Sequence, residues 1–211
     1  MTKRERLAIH EAAHAVITTV FGGEVDFVTI VSDGDTAGRS VLKHQRLPDS
    51  VVEEIENTAG GLWMWAQTHE DEFAQWAVSE VIIGNAGQEA ERLLLGETDP
   101  GQLAVEAEHP NVCINLREVT APYDSDNLQM LDLLEALLDT DTGWVEARYG
   151  RNEAGDMHAE LVCPRLDKRC EDLVREWEPA IRRVAAALLE RDTLQGDEVR
   201  EIVGPMQQET P

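Results

Sequence analysis

Residues 2–31 restrict the fold of this chain more than any other stretch. Thr2-Lys3-Arg4-Glu5 is a capping box, in which the Thr hydroxyl and the Glu carboxylate each satisfy a free backbone N–H. Leu7, Ala8, Ala12, Val16 and Val20 then recur at helical spacing. Gly22-Gly23 ends the helix, because glycine accepts the left-handed turn at a helix C-terminus. Val25 to Val31 is β-branched and aromatic and predicts a strand. Ser32-Asp33-Gly34-Asp35 is a turn, and Gly38 to Lys43 is the returning strand.

The remaining pattern is mostly helical. Val51 to Gly96 predicts helix with a break at Gly60-Gly61, ending in a long helix from Val78 to Leu95. The centre of that helix, Gly84-Asn85-Ala86-Gly87, is small enough for another backbone to approach closely. Trp63, Trp65, Phe73 and Trp76 read as packing residues. Thr98 to Tyr123 lacks periodicity and contains three prolines, so it predicts an irregular connection. Leu128 to Leu138 predicts a helix, and Asp139 to Pro164 a polar loop. Leu166, Cys170, Leu173, Val174, Trp177, Ile181, Val184 and Leu188 form one face of a helix over 166–191, with a kink expected at Pro179. Gly196 to Val203 predicts a short last helix. The expected fold is mainly α with a small β-sheet, in a single domain over 1–211. Its N-terminal part spans 1–138, its C-terminal helical part 165–204, and 205–211 is a frayed tail.

Charge narrows the partners. Lys plus Arg number 18 against 42 Asp plus Glu, a net charge of −24. Such a chain is repelled by nucleic-acid phosphates and by anionic lipid, so no nucleic acid and no membrane is expected. No stretch approaches the roughly 20 apolar residues of a membrane span. His10, Glu11 and His14 interrupt the apolar run that a signal peptide needs. Cys113, Cys163 and Cys170 have no framework spacing, which points to a reducing cytoplasm.

His10-Glu11-Ala12-Ala13-His14 carries the chemistry. On a helix, positions i and i+4 share a face, so both imidazoles can reach one metal ion, and zinc accepts neutral imidazole nitrogen well. Glu11 is then placed to take a proton from the water that zinc acidifies and to pass it to a leaving amine. Two histidines need a third protein ligand. A metzincin would place Gly and His at positions that here hold Ile17 and Val20. A thermolysin-like site needs a helical Glu about twenty residues on, where this chain has its strand.

Four segments together resemble the peptidase domain of the FtsH family of ATP-dependent zinc metalloproteases. Ile9-His10-Glu11-Ala12-Ala13-His14-Ala15-Val16 is similar to the family's His-Glu-Ala-Gly-His-Ala-hydrophobic helix, with Ala13 in place of its glycine. Gly22-Gly23-Glu24-Val25 followed by Val28-Thr29-Ile30-Val31 is similar to its glycine turn and Val-Thr-Ile strand. Ala86-Gly87-Gln88-Glu89-Ala90-Glu91, running to Leu95-Gly96-Glu97, resembles its small-residue helix. Val184 to Glu190 followed by Thr193 to Val199 resembles its C-terminal signature. The four occur in the family's order across almost the whole chain.

The resemblance implies a zincin-like domain with zinc as cofactor, His10 and His14 as ligands and Glu11 as general base. It implies an Asp at the start of a helix as third ligand. The matching stretch, Tyr123-Asp124-Ser125-Asp126-Asn127-Leu128, offers two. Asp126 shares a stripe with Met130, Leu133 and Leu137 and is preferred, with Asp124 as its competitor; the alternative is that both only cap the helix. The strand carrying Gly38, Ser40 and Leu42 resembles the family's substrate strand, whose free edge takes an extended peptide through backbone hydrogen bonds. An ordinary sheet edge is the competing reading. The stretches 44–80 and 98–123 look longer than the family's. No Gly-x-x-x-x-Gly-Lys-Ser/Thr phosphate loop occurs, so a separate ATPase is expected to feed the domain or to be dispensed with. The family's hexamer is implied as well, although −24 opposes close self-association at low salt. The expected activity is hydrolysis of peptides or unfolded segments. The alternative is a catalytically silent module of the same fold that binds a protein partner.

Overall fold

The computed structural model describes residues 2–31, 39–43, 69–96 and 159–205. Helix α1 spans Lys3–Val20, strand β1 Glu24–Thr29 and strand β2 Arg39–Lys43. Helix α2 spans Glu70–Ala90 and runs into a π-helical turn over Glu91–Leu95. Helix α3 spans Ala159–Arg191, strand β3 Thr193–Gln195 and helix α4 Gly196–Val203. The described residues are therefore mainly helical, with a small sheet. They fall into two compact units. One holds 2–31, 39–43, 85–96 and 169–205; the other holds 69–84 and 159–168.

In the first unit α1 starts as its capping box dictates. Thr2 Oγ1 accepts from the Glu5 N–H, and the Glu5 carboxylate accepts from the Thr2 N–H at 2.7 Å. That backbone donor holds the Glu5 carboxyl below its usual range. From Ala8 to Val20 every residue but His10 and Thr19 is buried. The helix is thus enclosed on almost all sides, where its spacing predicts a single apolar face. Ala8, Ala12, Ala13 and Ala15 permit this, because small side chains let neighbouring backbones close in.

β1 is the middle strand, in the order β2-β1-β3. It pairs antiparallel with both neighbours, Val28 lying opposite Ser40 on one side and Leu194 on the other. The register with β2 shifts between Val25 and Phe27. This bulge breaks the strand's two-residue period, so Val25 and Val28 are both buried though three apart. The strand stops at Thr29, two residues short of the expected Val31, which is 53% exposed.

The third strand corrects the sequence reading, which has no strand at Thr193–Gln195. At the end of α3, Asp192 takes a left-handed φ of 63°, and its carbonyl accepts from the Ile30 N–H at 2.9 Å. The chain is thereby turned along β1. The start of α3 is a second correction: it begins at Ala159 and includes Pro164, inside the expected polar loop. It also runs unbroken through Pro179. Each proline removes one backbone hydrogen bond, and the buried residues Leu166, Cys170, Leu173, Val174, Ile181, Val184 and Leu188 hold the helix on either side of Pro179. Of the expected face only Trp177 is not fully buried.

In the second unit Phe73, Ala74, Ala77, Val78, Ile82 and Ile83 of α2 are buried. Phe73 and Trp76 lie with ring centroids 6.1 Å apart, in keeping with a packing role. α2 begins at Glu70, earlier than the expected Val78.

Candidate metal centre

The site lies wholly in the first unit. α1 puts His10 and His14 one turn apart, and their Nε2 atoms are 3.1 Å from each other. The rings meet edge to face, with centroids 4.7 Å apart. His14 is buried and His10 nearly so. Nitrogens at this separation are spaced as two ligands of one ion bound at about 2.0–2.1 Å.

The second wall comes from α2. A Cβ built on Gly87 would lie 2.5 Å from His14 Nε2 and 2.7 Å from His10 Nε2. A side chain there would have to push both imidazoles aside, and the hollow that glycine leaves touches both candidate ligand atoms. Gly87→Ala is therefore expected to displace the imidazoles and weaken zinc binding by about 100-fold, at the upper end of what disturbed ligand support costs. Alanine favours a helix over glycine by about 1 kcal/mol, which offsets part of the crowding, so the fold should survive. Zinc competition with a chromogenic chelator checks the first point and thermal melting the second. Unchanged affinity would show that Gly87 does not shape the site.

One turn further, where α2 passes into its π-helical turn, stands Glu91. Its Oε1 lies 2.7 Å from His10 Nδ1, and its Oε2 accepts from Arg6 Nε. A carboxylate oxygen accepts, so Nδ1 carries the proton and His10 Nε2 keeps a lone pair for a metal. Burial pushes the Glu91 carboxyl up, but the His10 and Arg6 hydrogen bonds and charges outweigh it and hold it below its ordinary 4.5. Its folded value lies below its unfolded one, so its stabilisation is present above pH 4.5 and is lost as pH falls through the folded value. Acid unfolding followed by circular dichroism should accordingly show a shallower loss below pH 4.5 in Glu91→Gln than in wild type. Equal slopes would contradict this. The neighbouring Glu89 is held instead by Arg92, with Nε to Oε2 at 3.0 Å.

Glu11, the expected general base, is buried on α1. It stands three residues before His14, so the two share a face. Ser40 and Leu42 belong to β2, which among the described residues pairs with β1 alone. Gly38, Asp126 and Asp124 lie outside the described residues. Among the described residues no group of three His, Cys, Asp or Glu side chains could hold a metal ion.

Sequence reasoning missed Glu91, Gly87 and Arg6 as parts of the site. The first two sit in the quoted Ala86–Glu91 segment. Their signal was a glycine and an acidic residue four positions apart, one turn of the same helix.

The donor chemistry fits zinc: two imidazole nitrogens, one with its tautomer fixed by a carboxylate, and a hollow that a Cβ would fill. Among the described residues no helix is long and apolar enough to cross a membrane. No known family model matches this chain, and no curated protein matches it.

Proposed function

We propose that this protein is a zinc-dependent metallopeptidase of the FtsH peptidase type, acting on peptides or unfolded segments in the cytoplasm. The single observation that carries this reading is the His10–His14 pair, its Nε2 atoms 3.1 Å apart and backed by Glu91. His10 and His14 would hold the ion, with Asp126 preferred over Asp124 as third ligand. Bound zinc supplies Lewis-acid chemistry, polarising a carbonyl and acidifying water. Glu11 takes the proton from the attacking water and delivers it to the leaving amine. Burial of His14 and Glu11 limits competing solvent. β2 lends its outer edge to an extended peptide, so recognition runs through backbone more than side chains. A hexamer, and a separate ATPase that feeds the domain or is dispensed with, are carried in the same proposal on the family resemblance alone.

The test is incubation of the zinc-reconstituted protein with a permanently unfolded polypeptide at neutral pH. Fragments that vanish on chelation and return with zinc are expected. Tight binding without any cleavage would favour the silent partner-binding module.

A further inference from the structure

Arg6 has no place in the expected ligand set, yet it touches the group that orients one ligand. It stands one helical turn before His10 on α1. The two oxygens of the Glu91 carboxylate are divided between them: Oε2 takes the Arg6 Nε–H, and Oε1 takes the His10 Nδ1–H. A carboxylate bonded at one oxygen can swing about its last torsion. One bonded at both, by two donors on the same rigid helix, cannot. Glu91 is only 9% exposed, so its charge needs a nearby cation, and the guanidinium supplies it. The partners come from opposite ends of a long loop in sequence, 85 residues apart. The contact therefore also ties the π-helical turn to α1.

We propose that Arg6 is a positioning residue of the metal centre, acting through Glu91 to lock the orientation and tautomer of His10. This rests on the metal reading above. Guanidinium geometry matters as well as charge, because Nε presents one N–H along a fixed direction whereas a lysine ammonium rotates freely. Removing outer-shell support of a metal-binding histidine commonly weakens binding 10–100-fold.

The experiment measures zinc affinity by chelator competition, and the Co(II) absorption spectrum, on wild type, Arg6→Met, Arg6→Lys, Glu91→Gln and the Arg6→Met/Glu91→Gln double variant. Thermal melting of each metal-free protein runs beside it. Arg6→Met should bind zinc about 10–100-fold more weakly with an altered Co(II) spectrum. Arg6→Lys should recover part of the affinity. The double variant should be no weaker than Glu91→Gln alone, as a role for Arg6 through Glu91 requires. Wild-type affinity and spectrum in Arg6→Met would overturn the proposal, whatever happens to its melting temperature. Fully additive losses in the double variant would overturn it too. Absence of zinc from wild type overturns the metal reading itself, and the proposal with it; the wild-type sample separates the two failures.

Discussion

Glu11→Gln is expected to retain zinc at wild-type affinity and to lose peptide hydrolysis by about 10²–10⁴-fold, the usual worth of a positioned general base. The amide matches the carboxylate in size, so the packing around this buried residue is kept. It cannot take a proton, so water attack and amine protonation both lose their carrier. The proposed ligands His10 and His14 are untouched, and for that reason the loss should fall on turnover more than on peptide affinity. Single-turnover cleavage of an unfolded polypeptide, beside a zinc titration, checks both halves. Wild-type turnover in the variant would remove Glu11 from the chemistry. Loss of zinc would instead make Glu11 a structural support of the histidines.

Gly196→Ala should be the most destabilising conservative change in the described fold. Gly196 opens α4 against β1, and a Cβ there would lie 1.7 Å from the Val25 carbonyl oxygen and 2.8 Å from its carbon. These are backbone atoms of the middle strand, which is hydrogen-bonded on both sides and cannot withdraw without breaking pairs. The cost is put at about 3 kcal/mol or more, the upper range for forced overpacking. Gly96→Ala makes the comparison. Among the described residues nothing lies within 4 Å of its Cβ, and the left-handed φ of 67° opposes the change at about 1 kcal/mol. Denaturant midpoints at constant slope measure both. Equal midpoints for the two variants would mean that α4 does not press on β1 as described.

Local signals were legible and distant ones were not. The Thr2–Glu5 cap, the Gly22 turn and the Leu166–Leu188 stripe are written within a few residues, and the corresponding elements form. β3 could not be read this way. Thr193-Leu194-Gln195 is too short to show a period, and it is a strand because β1 offers it partners. The bulge in β1 is equally a property of the pair. At the site, the His10–His14 spacing was legible because four residues make one helical turn. Glu91 meets His10 from 81 residues away, and Gly87 matters only once α2 lies against α1. Burial of α1 on nearly every side was likewise hidden, since its apolar residues predict one face and its alanines supply the rest.

The central claim is the metal. Zinc per chain after reconstitution and dialysis should be measured on wild type, Asp126→Ala and Asp124→Ala side by side. The account predicts one zinc in wild type and in Asp124→Ala, and its loss in Asp126→Ala. A wild-type chain that retains no zinc would contradict it.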